Sequence, residues 1–155
     1  MTLVSRISVV PPAEAEAESW SAGAALVCVD AFLHRLVDLP LAHWLAIGEA
    51  LVADREYVPV RQRAWDKLES DLNDRRLGVA AWQVRDAVDT AAHIASRESH
   101  HWLSHDRACF AAAHGAAEAA ALALLARDQL PIETYRALTA PFAACVAAAE
   151  SARRG

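Results

Sequence analysis

A seam of small side chains in the middle of the chain constrains its fold more than any other feature. Small apolar residues recur there at alternating spacings of three and four, which is the period of one helical face: Ala81, Val84, Val88, Ala91 and Ala95. Small side chains on one face allow a second helix to approach closely. The pattern therefore predicts a helix over 79–97 that packs tightly against another helix.

The same helical spacing of apolar residues continues through most of the chain. Prolines and a glycine punctuate it, because proline removes a backbone donor and glycine often ends a helix: Pro40, Pro59, Gly78, Pro131 and Pro141. The other predicted helices cover 19–39, 41–56, 60–77, 99–128 (with a break near Gly115), a segment starting at Pro131, and 141–153. The predicted fold is all-α, a helical bundle of five to seven helices with short loops.

Length and local composition predict one folded domain preceded by an arm. A chain of 155 residues is of the size of a single domain and can bury a substantial core without a structural metal. Residues 1–17 alternate weakly between polar and apolar side chains and then contain Pro11 and Pro12. We therefore expect an extended N-terminal arm over 1–17 and a single helical-bundle domain over 18–155.

Charge and cysteine content limit which cellular compartment and which classes of partner we expect for this protein. The net charge is −5, and acidic side chains interrupt the basic residues between Arg61 and Arg76, which predicts that the partner is not a nucleic acid. No signal peptide or sufficiently long uncharged apolar stretch is found, so no membrane association is expected. Three cysteines without a CxxC pair indicate reduced thiols in a cytoplasmic protein. Abundant alanine and a single lysine, Lys67, favour a GC-rich bacterial source.

The stretch "ESHHWLSHDRACFAAAH" at 98–114 holds four of the seven histidines. If it forms one helix turning by about 100° per residue, one stripe of that helix carries Glu98, His101, His105 and Cys109. Two imidazoles four residues apart can bind one ion, and His34 on the first helix is the candidate ligand from elsewhere in the bundle. These five residues are the predicted ligands of a divalent transition metal or a haem.

The pattern of one early histidine and a later HxxxH is similar to the DinB-like metal-binding bundles, in which three histidines hold a divalent ion. Here at least one further helix is predicted after the HxxxH of His101 and His105, so we carry over no chemistry from that family. The HExxH motif, a second ExxH motif and a nucleophile elbow are all missing from the sequence. Whether the chain is an enzyme therefore stays open.

Two segments resemble a broader group of proteins. "AWQVRDAVDTAA" at 81–92 and "LALLARDQLPIETYRALTAPF" at 122–142 look like stretches of uncharacterised helical proteins from high-GC bacteria that are rich in Ala, Trp, Arg and Asp. The resemblance implies a helical fold and transfers no function.

Two functional hypotheses follow from these observations. The first is a non-catalytic helical interaction module that binds another protein or, as a homodimer, a second copy through the small-residue seam 81–95 and the alanine face 112–123. The alternative is a metal- or haem-binding helical bundle that uses the stripe of Glu98, His101, His105 and Cys109 as ligands. An enzyme that depends on the bound metal or haem falls under this alternative. A second polar row, Arg85, Asp89, His93 and Arg97, is expected to form a ladder along the surface of its own helix.

Overall fold

The computed structural model describes residues 22–74, 78–98 and 102–154, and these ranges contain seven α-helices and no strand. The helices are α1 (Ala22–Val37), α2 (Leu41–Ala53), α3 (Tyr57–Asp74), α4 (Gly78–Ser96), α5 (Ser104–Leu125), α6 (Ile132–Thr139) and α7 (Ala143–Arg154). Two short 3-10 helices, Arg127–Gln129 and Ala140–Phe142, flank α6. The predicted all-α bundle is confirmed. The arm predicted over 1–17 lies outside the described residues.

Helix α5 lies at the centre of the bundle. It packs against α1, α2, α4 and α6, while α7 packs against α1 on one side of the bundle. From Ala116 to Ala126 every residue is buried except Glu118, which keeps partial contact with solvent. Alanine dominates this stretch, and its small side chain lets several helices surround α5 at short distance. The single carboxylate within such an apolar stretch needs a partner, because an unpaired buried charge is costly.

By length and composition alone, α5 is also long and apolar enough to cross a membrane. In the bundle, 61% of its most apolar 18-residue window is buried against other helices. The central helix of a helical bundle passes the same test of length and apolar composition. The packing of α5 therefore accounts for its composition.

The starts of α3 and α5 differ from the sequence prediction. Helix α3 begins at Tyr57, so Pro59 lies inside its first turn. Backbone N–H groups in the first turn have no acceptor within the helix, so the N–H that proline lacks costs no helical hydrogen bond there. Helix α5 begins at Ser104, five residues later than predicted, and runs without a break through Gly115. A local cap explains its start, because the side chain of Asp106 accepts a hydrogen bond from the backbone N–H of Leu103 at 3.4 Å.

The small-residue seam of α4 is buried within the chain. All five of its members are at most 6% exposed, and α4 packs against both α1 and α5. The alanine face of α5 is likewise covered by neighbouring helices. The close helix packing predicted from the seam is confirmed. The two faces on which the dimer hypothesis rested are nevertheless occupied inside the monomer, so self-association needs a different surface.

Aromatic rings form a continuous row through the core. Phe32 contacts Phe142 at 5.9 Å between ring centroids, Phe142 contacts Trp44 at 6.1 Å, and Trp44 contacts Phe110 at 5.6 Å. The row joins α1, α2, α5 and the segment before α7. Trp44 is fully buried in this row. Trp82, by contrast, is 66% exposed on α4.

Candidate functional site

The predicted metal-ligand stripe does not lie on one helix. Glu98 is in the turn that follows α4, and α5 starts only at Ser104. The carboxylate of Glu98 instead accepts a hydrogen bond from the backbone N–H of Leu41 at 3.2 Å. Leu41 is the first residue of α2, and a carboxylate there stabilises the positive end of the helix dipole. Glu98 therefore has a local structural role at the start of α2.

His105 and Cys109 do come together on the first turns of α5. The Nε2 atom of His105 lies 3.5 Å from the Sγ atom of Cys109. The thiol is buried and the imidazole is exposed. Burial raises the pKa of the Cys109 thiol, and the carboxylates of Glu49 and Asp106 raise it further. A raised pKa keeps the thiol protonated near neutral pH, which makes it a poor nucleophile.

The other predicted ligands do not complete a site with this pair. His101 lies outside the described residues, and His34 is exposed on α1. Within the described part of the chain, only one group of three His, Cys, Asp or Glu residues has its ligand atoms all within 4.8 Å of one another, and it contains none of the five predicted ligands. Because His101 is not described, the predicted ligand set remains a prediction.

The group that the structure brings together joins α4 to α5. The Nε2 atom of His114 lies 2.7 Å from Oδ1 of Asp89, and the Nε atom of Arg85 lies 3.2 Å from Oε1 of Glu118. From one pair to the other, the residue number rises by four on α4 and falls by four on α5, so the two helices are antiparallel at this point. The polar row of α4 was predicted to pair along its own helix. Two of its members instead pair across to α5.

Asp89, His114 and Glu118 form the group whose ligand atoms all lie within 4.8 Å of one another. Asp89 is exposed, while His114 and Glu118 are half-buried. The ring of Phe110 lies 6.4 Å from the imidazole of His114 and limits its movement on one side. One imidazole nitrogen and two carboxylates are the donor types found in protein sites for divalent transition metals.

Sequence reasoning missed this group, although a pattern in the sequence indicated it. Arg85 and Asp89 are four residues apart on one helix, and His114 and Glu118 are four residues apart on the next. The charges match in reverse order, as an antiparallel pair of helices requires. Spacing within each helix does not show this match, which becomes visible only when the two helices are aligned in antiparallel order.

Next to this group, Arg85 lies near two tryptophan rings. Its guanidinium carbon is 5.9 Å from the ring centroid of Trp65 on α3 and 5.7 Å from that of Trp82 on α4. Both distances are within the range of a cation–π contact. The Nε–H group of Arg85 is buried and makes no hydrogen bond within the described residues, so its attraction to Glu118 is Coulombic.

A second polar cluster lies around Tyr135 on α6. Arg127 forms an ion pair with Glu150, and its guanidinium carbon lies 5.0 Å from the centroid of the Tyr135 ring. The Tyr135 hydroxyl is buried and has no hydrogen-bond partner among the described residues. Burial raises the pKa of Tyr135 above its ordinary value; Glu150 raises it further and Arg127 opposes both effects.

We expect Tyr135→Phe to stabilise the fold by about 1 kcal/mol, because it removes a buried hydroxyl that lacks a partner. The raised pKa also sets a pH dependence. The protonated phenol is favoured in the folded state, so its contribution is complete below the unfolded pKa of about 10 and is lost as the pH rises above that value. Urea unfolding at neutral pH and above pH 10 measures both effects.

The alkaline loss of stability should be smaller in Tyr135→Phe than in the wild type. The thiols of Cys109 and Cys145 also have raised pKa values because of burial, but they are present in both proteins, so the comparison isolates the phenol. A Tyr135→Phe variant that is less stable than the wild type at neutral pH would show that the hydroxyl has a stabilising partner.

An open apolar groove runs between α2 and the segment around Pro141. It comprises two adjoining cavities of about 440 and 290 Å³, which share Ala46, Ile47 and Pro141 in their walls. The polar residues in those walls are Asp54 in one cavity and His43 in the other. The groove offers apolar surface without a convergent set of polar groups.

Comparison of this chain with protein-family models, with curated proteins and with solved structures finds no significant match.

Proposed function

We propose that this protein is a non-catalytic helical interaction module that self-associates through the outer face of α4. One observation carries the proposal: Val79 is 75% exposed and Trp82 is 66% exposed on neighbouring turns of this face. Scattered exposed apolar residues are common, but a large aromatic ring beside an exposed branched residue forms a contiguous apolar patch. We refer to Val79 and Trp82 together as the α4 patch.

The composition of the α4 patch and its surroundings favours protein contact. Tryptophan and arginine are the residue types most enriched among the residues that dominate binding energy at protein interfaces. The guanidinium carbon of Arg85 lies 5.7 Å from the centroid of the Trp82 ring, and Arg85 also pairs with Glu118, so the ring is supported by a side chain that is itself paired with α5. A supported aromatic ring loses less conformational entropy on binding than a freely rotating one.

A second copy of the chain is the partner that we propose. A twofold axis through the α4 patch stacks Trp82 of one copy on Trp82 of the other and removes both rings and both Val79 side chains from water. Asp86 and Asp89 lie farther along the same face. In this arrangement their carboxylates remain at the solvated rim, so no like charges are buried together.

The wider setting that we propose is a cytoplasmic bacterial protein that binds neither nucleic acid nor membrane. The net charge of −5 supports the prediction that neither nucleic acid nor a membrane is bound, because nucleic acids and anionic lipid surfaces both bind proteins through basic patches.

Sedimentation equilibrium at tens of micromolar tests self-association. We expect a reversible dimer for the wild type and a monomer for Trp82→Ala, because truncation of a central aromatic residue typically weakens an interface by at least about 2 kcal/mol, or about 30-fold. Gln83→Ala is the matched control, since Gln83 is the exposed neighbour of Trp82 and lies outside the α4 patch.

Gln83→Ala should sediment like the wild type. A wild type that is strictly monomeric at these concentrations would contradict the proposal. So would a dimer that Trp82→Ala leaves unchanged.

A further inference from the structure

We propose that Asp89, His114 and Glu118 form a binding site for one divalent transition-metal ion, best matched by Zn²⁺, which joins α4 to α5. Within the described residues, no other group of three metal-binding side chains has its ligand atoms within 4.8 Å of one another. The ligands come from two helices that already pack together, so the bundle holds them near one another without an ion. The site shares no residue with the α4 patch or with the His105–Cys109 pair, although Glu118 also pairs with Arg85, which lies beside Trp82.

The donor set selects the class of ion. One imidazole nitrogen with two carboxylate oxygens suits Zn²⁺ and its neighbours in the first transition series, whereas Ca²⁺ and Mg²⁺ prefer all-oxygen surroundings with six or more ligands. Zn²⁺ binds these donors at about 2.0–2.2 Å, so two ligand atoms on one ion lie about 3.3 Å apart in a tetrahedral site. His114 Nε2 and Asp89 Oδ1, at 2.7 Å, must separate slightly to admit the ion.

Glu118 reaches the ion with little rearrangement. Its Oε1 atom is paired with Arg85, and that contact lacks a directed hydrogen bond, so the carboxylate can turn without breaking one. We assign its Oε2 atom as the third ligand. A water molecule would complete a tetrahedral shell on the solvent side, where Asp89 is exposed.

Arg85 and His114 also define the competing explanation. The Arg85–Glu118 ion pair and the Asp89–His114 hydrogen bond, which join neighbouring helices, need no metal to be stable. If they are only polar contacts between helices, added Zn²⁺ will not bind at this place. The experiment must therefore locate the ion as well as detect it.

The first measurement is a titration of full-length, untagged and EDTA-stripped protein with ZnCl₂, followed by calorimetry and by thermal melting. We expect one ion per chain. Because the site exists only in the folded state, Zn²⁺ at about 100 times its Kd should raise Tm by about 5–10 °C. His114→Ala and Asp89→Asn should each weaken binding by at least about 10-fold, since the first removes a ligand and the second replaces a carboxylate with a neutral, weaker donor.

Matched controls locate the ion. His93→Ala removes an exposed histidine from α4 that is not in the group, and His105→Ala removes the imidazole beside Cys109. Both should bind Zn²⁺ as the wild type does. Asp89→Asn changes only a surface carboxylate, so it keeps the test informative if His114→Ala folds poorly.

Co²⁺ in place of Zn²⁺ gives a second readout. A site of one imidazole and two carboxylates shows visible d–d bands without thiolate-to-metal charge transfer, whereas ligation by Cys109 produces a charge-transfer band in the near ultraviolet. Visible bands that vanish in His114→Ala would support the proposal. The proposal is overturned if the wild type shows no saturable binding, or if binding persists in His114→Ala and Asp89→Asn. It is also overturned by a thiolate charge-transfer band that vanishes in Cys109→Ala.

Discussion

Replacing Gly48 with alanine is expected to destabilise the fold by at least about 3 kcal/mol, at the upper end of the range for overpacked cores. Gly48 is buried on α2 at the point where α2 crosses α5. A Cβ atom built at this position would lie 1.7 Å from the carbonyl oxygen of Cys109 and 2.4 Å from its carbonyl carbon. Both contacts are with helix backbone, which cannot rotate away as a side chain can. The two helices must therefore move apart.

The higher helix propensity of alanine opposes this destabilisation but is smaller. Alanine is favoured over glycine inside a helix by about 0.5–1 kcal/mol, which cannot offset the separation of two packed helices. For a domain of this size, a loss of about 3 kcal/mol lowers Tm by about 6–12 °C. Thermal melting followed by circular dichroism measures the change directly.

Gly115→Ala is the matched control for Gly48→Ala. Gly115 is an exposed residue in the interior of α5, and a Cβ atom there meets nothing within 4 Å. The same substitution should therefore stabilise the fold by about 0.5–1 kcal/mol. If both variants shift Tm in the same direction, the close approach of α2 and α5 at Cys109 is not present in solution.

Trp44→Ala is expected to cost about 3–5 kcal/mol, the range measured for truncating a fully buried aromatic side chain. Trp44 is completely buried and contacts the rings of Phe110 and Phe142. Its indole N–H also donates a hydrogen bond to the carbonyl oxygen of Leu39 at 3.2 Å, which ties the start of α2 to the turn before it. Truncation leaves a cavity at the meeting point of three elements.

Trp44→Phe separates packing from hydrogen bonding. Phenylalanine keeps an aromatic ring but is smaller and cannot donate to Leu39, so we expect a smaller loss of about 1–2 kcal/mol. Urea unfolding of both variants gives the two values. A cost below about 1 kcal/mol for Trp44→Ala would show that Trp44 is not a central core residue.

Helix faces were predictable from the sequence because they depend on local periodicity. The seam of α4, with Val88 fully buried at its middle, is a core face as its spacing predicts. Helix ends were less predictable, since they depend on competing local hydrogen bonds. The bond between the Leu103 N–H and Asp106 starts α5 late enough to leave Glu98 off that helix. The predicted ligand stripe assumed that residues 98–114 form one helix, and this single cap makes that assumption wrong.

Exposure was the feature that periodicity predicted least well. Trp82 has the hydrophobicity of a core residue, yet it is exposed because the buried face of α4 is already filled by small residues. The part of α4 that stays exposed is therefore the surface next to the seam, and not the seam itself.

The amino-acid sequence by itself determined that this chain is all-α, where most of its helices run and which face of α4 is buried, because helix formation and amphipathic spacing act over a few neighbouring residues. Only the tertiary structure decided which groups from different helices meet. The meeting of Asp89 with His114 depends on the antiparallel register of α4 and α5, and the need for glycine at position 48 depends on how closely α2 approaches the backbone of Cys109. Both are set by the packing of whole helices; the reversed order of polar residues on α4 and α5 is consistent with the first contact but does not by itself fix which residues meet.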